Sequence, residues 1–242
     1  MSLTTQTTPS QLAHHFAAVR ALSLALAAPL SEADTQAQSM PDASPTKWHL
    51  AHTTWFYETM VLEPAEPGFR PHHPAFRVLF NSYYHAVGEQ HARPQRGLIT
   101  RPGLAEVLAY RAAVDARVLA LLARNPSPDT LALLTLGLHH EQQHQELVLT
   151  DLKHLLACNP LRPVYRPAPG RGAGAAPSLP PPGWIEWGGG AVDIGHAGAG
   201  FAFDNETPRH RHWLAPHALA DRLVTQGEFA AFVAEGGYRD AR

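Results

Sequence analysis

A pair of histidines one helical turn apart is the clearest chemical signal in this sequence. His140 and His144 lie in an apolar-periodic run from about Thr130 to Leu156 that contains no proline, so the run predicts a single long helix. On a helix, residues i and i+4 share a face, and both ring nitrogens can reach one ion. Two unrelated core or surface histidines are the alternative. The metal site is favoured because the residues predicted on the same face belong to a core, where idle polar groups are costly. Those residues are Leu133, Leu136, Leu147 and Asp151.

A third inward-facing histidine is predicted on an earlier helix. Ser44 and Pro45 form a typical helix start, and apolar residues at helical spacing continue this helix to about Leu62. His52 falls in the middle of the apolar face, whereas His49 lies at its edge, so His52 is the candidate ligand. A core histidine bonded to a carbonyl is the alternative for His52 taken alone. Three neutral imidazoles suit catalytic zinc and also Fe(II), and spacing does not choose between the two metals.

The histidine pair also matches the His-Glu-x-x-His signature of zinc proteases. The extended form of that signature needs a glycine and a third histidine where Leu147 and Thr150 stand. The other form needs a glutamate on a following helix, but after Glu146 the next glutamate is Glu186. The protease interpretation is therefore disfavoured, and the third candidate ligand remains His52, upstream of the pair.

Asp151 shares the predicted metal face but lies two turns beyond His144, about 10 Å along the helix axis. We therefore do not expect it to bind the metal directly. It could orient a histidine or pair with Lys153 or His154.

Four predicted helices position these residues and favour an antiparallel four-helix bundle, in which metal sites form between facing helices. The predicted helices run from about Gln11 (after Ser10 as N-cap) to Ala28, Ser44 to Leu62, Pro102 to Arg124 and Ser127 to Leu156. The segment between residues 63 and 101 is too long and aromatic for a passive linker, so we expect it to pack at the mouth of the bundle. The bundle is predicted over residues 10–158.

Composition excludes several classes of protein. A formal net charge of −2 with scattered basic residues provides no nucleic-acid-binding surface. No apolar run approaches the roughly 20 residues of a membrane span, so no membrane association is expected. The single cysteine, Cys158, excludes an intrachain disulfide framework and fits a reducing compartment, so a cytoplasmic location is expected. Nothing in the sequence indicates the oligomeric state.

The composition changes after Cys158. Residues 159–183 are rich in proline, glycine and alanine and predict an extended linker. Trp184–Gly190 and Ala191–Gly195 predict short strands with glycine turns, and Val224–Val233 predicts a short helix. We interpret residues 184–242 as the beginning of a second, α+β domain whose remainder is absent.

Several stretches of the chain are recognisable when they are taken together. In the first half these are Trp48–His52, His140–Glu146 and Thr150–His154, and in the second half Phe203–His210 and Val224–Phe229. They resemble motifs of the sulfoxide synthases of ergothioneine biosynthesis. That family joins a DinB-like four-helix bundle to a C-terminal domain related to formylglycine-generating enzymes and C-type lectins. The resemblance implies a mainly α chain, in which a DinB-like bundle is followed by the truncated start of this α+β domain.

The resemblance also implies a metal and a reaction. The family uses a non-haem Fe(II) bound by three histidines, which match His52, His140 and His144. Its reaction joins the sulfur of a thiol donor, γ-glutamylcysteine or cysteine, to C2 of the imidazole of hercynine, which is Nα-trimethylhistidine. Dioxygen is consumed and a sulfoxide is left.

Further residues match positions that recognise substrates in the family. Arg93 and Arg96 match a pair of arginines suited to clamping a carboxylate of the thiol donor. Gln143 matches a position near the trimethylammonium group of hercynine. The acidic tyrosine of the family would lie after Arg242, and Tyr238 does not match it.

Two other functions stay open at this point. One is a DinB-like thiol transferase or isomerase that uses zinc or nickel and no dioxygen. The other is a non-catalytic metal-binding remnant. The motifs of the second half favour the sulfoxide synthase, because a simple DinB-like enzyme would not need them.

Overall fold

A computed structural model describes residues 8–82, 84–167 and 179–240. The chain divides into two compact units, residues 1–169 and 170–242. The first unit is a helical bundle in which α1 packs against α6 and α7, and α3 packs against the same two helices. Its helices are α1 Pro9–Ala27, α2 Glu32–Gln36, α3 Thr46–Phe56, α4 Glu63–Ala65, α5 Phe76–Leu79, α6 Leu104–Leu122 and α7 Pro128–Cys158.

The first helix begins earlier than predicted, and its N-cap is Thr8 rather than Ser10. The Thr8 hydroxyl accepts the backbone N–H of Gln11 at 3.2 Å, and the Gln11 side chain accepts the backbone N–H of Thr8 at 2.9 Å. This reciprocal capping box satisfies two donors at once, and Pro9 follows at the first helical position. Ser10 therefore lies inside the helix.

The second predicted helix is found, but both of its boundaries differ from the prediction. Pro45 is the N-cap, and the hydroxyl of Ser44 instead accepts a hydrogen bond from Arg96. After α3 the chain continues through a π-helical segment, Tyr57–Leu62, directly into α4. Pro64 does not end the helix at Leu62, because helical backbone continues through it to Ala65.

The long helix α7 begins as predicted, since the hydroxyl of Ser127 accepts the backbone N–H of Thr130. Gly137 lets this helix approach α3 and the π-helical segment closely, because a Cβ there would lie 2.6 Å from a ring carbon of Tyr57. Leu134 and Leu138 are buried on either side of this contact. No helix in the described part of the chain is long and apolar enough to cross a membrane.

The second unit contains two small antiparallel sheets and one helix, α8 Gln226–Ala234. The strands are β1 Trp184–Trp187, β2 Gly190–Ile194, β3 His210–Leu214 and β4 His217–Ala220. Strand β1 pairs with β4 and β2 pairs with β3, so the predicted short strands and helix are confirmed. None of the described residues of this unit is buried. The predicted linker lies partly outside the described residues, because 168–178 fall between them.

Candidate metal centre

Three histidine rings from two helices meet inside the bundle. His52 is on α3, and His140 and His144 are one turn apart on α7. Each can offer one ring nitrogen such that all three nitrogens lie within 4.8 Å of one another. The Nε2 atoms of His52 and His140 are only 3.2 Å apart. The three residues predicted from their spacing are therefore brought together, in a group of the kind that can hold one metal ion.

The ring of His52 is fixed in the tautomer that a metal requires at Nε2. Its Nδ1–H donates to the backbone carbonyl of Phe80 at 2.6 Å, so Nε2 carries the lone pair. The ring is stacked between Trp48 and Trp55, with centroid distances of 4.5 and 5.5 Å. These contacts leave the ring little freedom to turn.

The environment keeps the three imidazoles uncharged. Burial lowers the pKa of His140 from 6.5 to about 4 and lowers the pKa of His52 and His144 well below 6.5; neighbouring imidazoles add to the effect at His52 and His144. The Nδ1 atom of His140 is buried and has no hydrogen-bond partner among the described residues. Neutral nitrogen donors that converge fit a divalent cation such as Fe(II) or zinc.

His49, which the sequence places at the edge of its helix face, lies directly behind His144. The Nδ1 atoms of the two rings are 2.8 Å apart, and Nε2 of His49 is 3.0 Å from Oδ2 of Asp151. Asp151 also accepts the backbone N–H of Ser44 at 2.9 Å. Asp151 therefore orients a histidine, which is one of its two predicted roles, and the histidine that it contacts directly is His49. The His49 ring spans the two turns that separate Asp151 from His144.

Glu141 belongs to a buried ionic network that the sequence pattern did not reveal. Its Oε1 accepts from the Ser23 hydroxyl at 2.6 Å and from Arg111 at 2.7 Å, and its Oε2 accepts from Arg20 at 3.0 Å. Burial alone would raise the pKa of this carboxyl, but the two guanidinium groups and the hydroxyl lower it to about 2. Both oxygens are occupied, so Glu141 is not placed to act as the general base of a zinc protease.

A cavity of about 390 Å³ opens beside the three histidines. Its walls include all three residues predicted to bind substrates, Arg93, Arg96 and Gln143. The guanidinium of Arg96 is buried, lies 3.4 Å from the ring centre of Trp48, and donates to the hydroxyls of Ser44 and Ser82. Arg93 donates to the backbone carbonyl of Asp42, and Gln143 is exposed. The structure thus places a fixed positive charge at the cavity wall.

The helical bundle matches a known protein family. The family model of the DinB superfamily matches residues 15–148, which include all three histidines, and the chain belongs to this superfamily. The predicted fold class, a mainly α chain with a DinB-like bundle, is confirmed.

The chain is also similar to three curated proteins named hercynine oxygenase. The one from Mycobacterium tuberculosis is 30% identical over 239 residues, which cover 98% of this chain and 53% of the relative. Those from Mycolicibacterium thermoresistibile and Mycolicibacterium smegmatis are 29% and 30% identical, and each match covers 87% of this chain. The chain spans about half the length of these relatives.

Proposed function

We propose that this chain acts as a hercynine oxygenase of ergothioneine biosynthesis and that its DinB-like bundle holds the metal. The observation that carries the proposal is the convergence of three neutral imidazoles, from His52, His140 and His144, beside a cavity with a fixed arginine. The similarity to hercynine oxygenases along 98% of the chain supports it independently.

The proposed reaction is iron-dependent oxidative C–S bond formation. The C2–H bond of hercynine and the S–H bond of γ-glutamylcysteine or cysteine break, a C–S bond forms, and the sulfur is oxidised to a sulfoxide. One oxygen atom of dioxygen enters the sulfoxide, and the other leaves as water with the two hydrogens, so atoms and electrons balance. Fe(II) at the three histidines would supply thiolate binding and dioxygen activation.

The side chains of this chain have separate tasks in the proposal. His52, His140 and His144, as three uncharged ligands, would leave the full positive charge on a bound metal, and that charge would favour ionisation of a thiol. Arg93 and Arg96 are proposed to hold a carboxylate of the thiol donor, and Gln143, at the exposed side, to lie near the trimethylammonium group of hercynine. Orienting both substrates at one site removes much of the entropic barrier to their reaction.

Oxygen uptake tests the proposal. The metal-free chain is loaded with Fe(II) under anaerobic conditions, and oxygen consumption is followed after addition of hercynine, the thiol, or both. We expect uptake only with both substrates and incorporation of one atom of ¹⁸O₂ into the sulfoxide. The His52→Ala variant should show neither.

Two results would contradict this function. Turnover of a thiol without dioxygen would indicate a DinB-like transferase or isomerase that uses zinc or nickel. Retained metal without turnover of any of these substrates would indicate a non-catalytic metal-binding protein.

A further inference from the structure

His49 and Asp151 form a hydrogen-bonded chain that ends on the proposed metal ligand His144. The chain runs from Asp151 Oδ2 to His49 Nε2 at 3.0 Å and from His49 Nδ1 to His144 Nδ1 at 2.8 Å. His49 is 3% exposed, so water has little access to its ring. The backbone N–H of Ser44 donates to the same Oδ2 atom of Asp151 at 2.9 Å and so fixes the carboxylate.

The direction of each hydrogen bond between Asp151, His49 and His144 follows from the Asp151 carboxylate. An ionised carboxylate only accepts, so the Nε2 atom of His49 must carry a proton. A neutral His49 then has its lone pair at Nδ1, and this atom can only accept. His144 must therefore donate from Nδ1, which leaves the lone pair of His144 at Nε2.

We propose that Asp151 and His49 are positioning residues that hold His144 in its Nδ1–H tautomer, so that Nε2 is ready to bind the metal before the metal arrives. This inference rests on the proposed metal centre. A free imidazole in water populates both tautomers and many orientations, whereas this one is set by a buried partner. Loss of such an outer hydrogen bond typically lowers metal affinity about 10- to 100-fold.

Histidine ring NMR of the metal-free chain tests the tautomer without any metal or turnover. Two-bond ¹H–¹⁵N spectra at pH 7.5, assigned with variants that each replace one histidine, should show His144 protonated at Nδ1 and His49 protonated at Nε2. Asp151→Ala should convert both rings to tautomer mixtures. Asp151→Asn keeps an acceptor oxygen at the same place and should retain the wild-type pattern.

Metal titration tests the consequence. Calorimetry with Co(II) should give an affinity about 10- to 100-fold lower for Asp151→Ala and for His49→Phe. Glu146→Ala, an exposed acidic residue on the same helix, should leave the affinity unchanged. The two disrupting variants remove different members of this hydrogen-bonded series, Asp151 and His49, so misfolding of one variant does not mimic the result.

Failure of this inference is distinguishable from failure of the proposed function. A wild-type chain that binds Co(II) but has His144 protonated at Nε2 overturns the positioning role alone. Wild-type affinity in both Asp151→Ala and His49→Phe overturns it as well. A wild-type chain that binds no Co(II) overturns the metal centre, and the positioning role with it.

Discussion

Replacing Glu141 by glutamine should destabilise the bundle strongly, although the side chain keeps its size. The Glu141 carboxylate lies between the guanidinium groups of Arg20 and Arg111, at 3.0 and 2.7 Å, and all three side chains are buried. A neutral amide would leave two buried cations without this partner. Breaking a buried ion pair from one side costs about 3–5 kcal/mol.

The pKa of Glu141 provides a second measure of this effect. It falls from 4.5 to about 2 in the folded chain. At about 1.4 kcal/mol for each tenfold change in proton affinity, the ionised carboxylate contributes ~3 kcal/mol to the free energy of unfolding at pH 7. Because the folded pKa is the lower one, this contribution is complete above pH 4.5 and is lost as the pH falls towards 2. It should decrease to about 1 kcal/mol at pH 3.

Urea unfolding followed by circular dichroism at 222 nm measures the difference, since most of the helical signal comes from the bundle. Glu141→Gln should lose about 3 kcal/mol at pH 7 relative to the wild type, and the gap should narrow as the pH falls from 4.5 to 3. Glu146→Gln makes the same chemical change at an exposed position of α7 and should be neutral. The reasoning would be refuted by a loss below 1 kcal/mol at pH 7, or by a gap that is unchanged at pH 3.

Three further predictions concern the cavity, the packing and the histidines. Arg96→Ala should weaken binding of a carboxylate-bearing thiol at least about tenfold in calorimetry, because a hydrogen bond to a charged group contributes ~1.5–3 kcal/mol. Arg101→Ala is an exposed control and should bind the thiol as the wild type does. Equal losses of affinity in the two variants would show that Arg96 does not contact the thiol. Gly137→Ala should lower the free energy of unfolding by ~1–3 kcal/mol, since the new methyl meets the ring of Tyr57. Alanine favours a helix more than glycine does, so helix propensity alone would stabilise this variant, and a stabilised variant would contradict the packing described. The pKa of His140 is lowered to about 4, so its neutral form persists to mildly acidic pH, and Co(II) affinity should fall less than about threefold between pH 7.5 and 5.5. Three ordinary imidazoles of pKa 6.5 would lose about a thousandfold over the same range, and such a loss would disprove the lowered values.

Local spacing was sufficient to predict the parts of the site that lie on continuous helix faces. His140 and His144 are related by one turn, and His52 lies in the centre of its own apolar stripe, so helical geometry predicts that their rings meet. The core face predicted around the pair was wrong in part, because Leu147 is 40% exposed and the buried leucines of α7 are Leu134, Leu138 and Leu152. The start of α7 is predictable because Ser127 is followed by Pro128, and the Ser127 hydroxyl does cap the helix. The assignment of the three histidines as metal ligands stays a prediction.

The missed features depend on partners that are distant in sequence. Glu141 meets Arg20 across 121 residues, and Asp151 meets His49 across 102. Periodicity tells which face a residue occupies, but it does not tell which side chain faces it from another helix. The π-helical segment Tyr57–Leu62 was also missed, because nothing in its local composition requires the wider turn.

The most direct test of the account is the metal stoichiometry and affinity of the histidine cluster. Anaerobic titration of the metal-free chain with Fe(II) should show one ion per chain. His52→Ala, on a different helix from the histidine pair, should lose most of this affinity, as should His140→Ala and His144→Ala, whereas the neighbouring His139→Ala should bind as the wild type does. Wild-type affinity in His52→Ala would contradict the three-histidine centre.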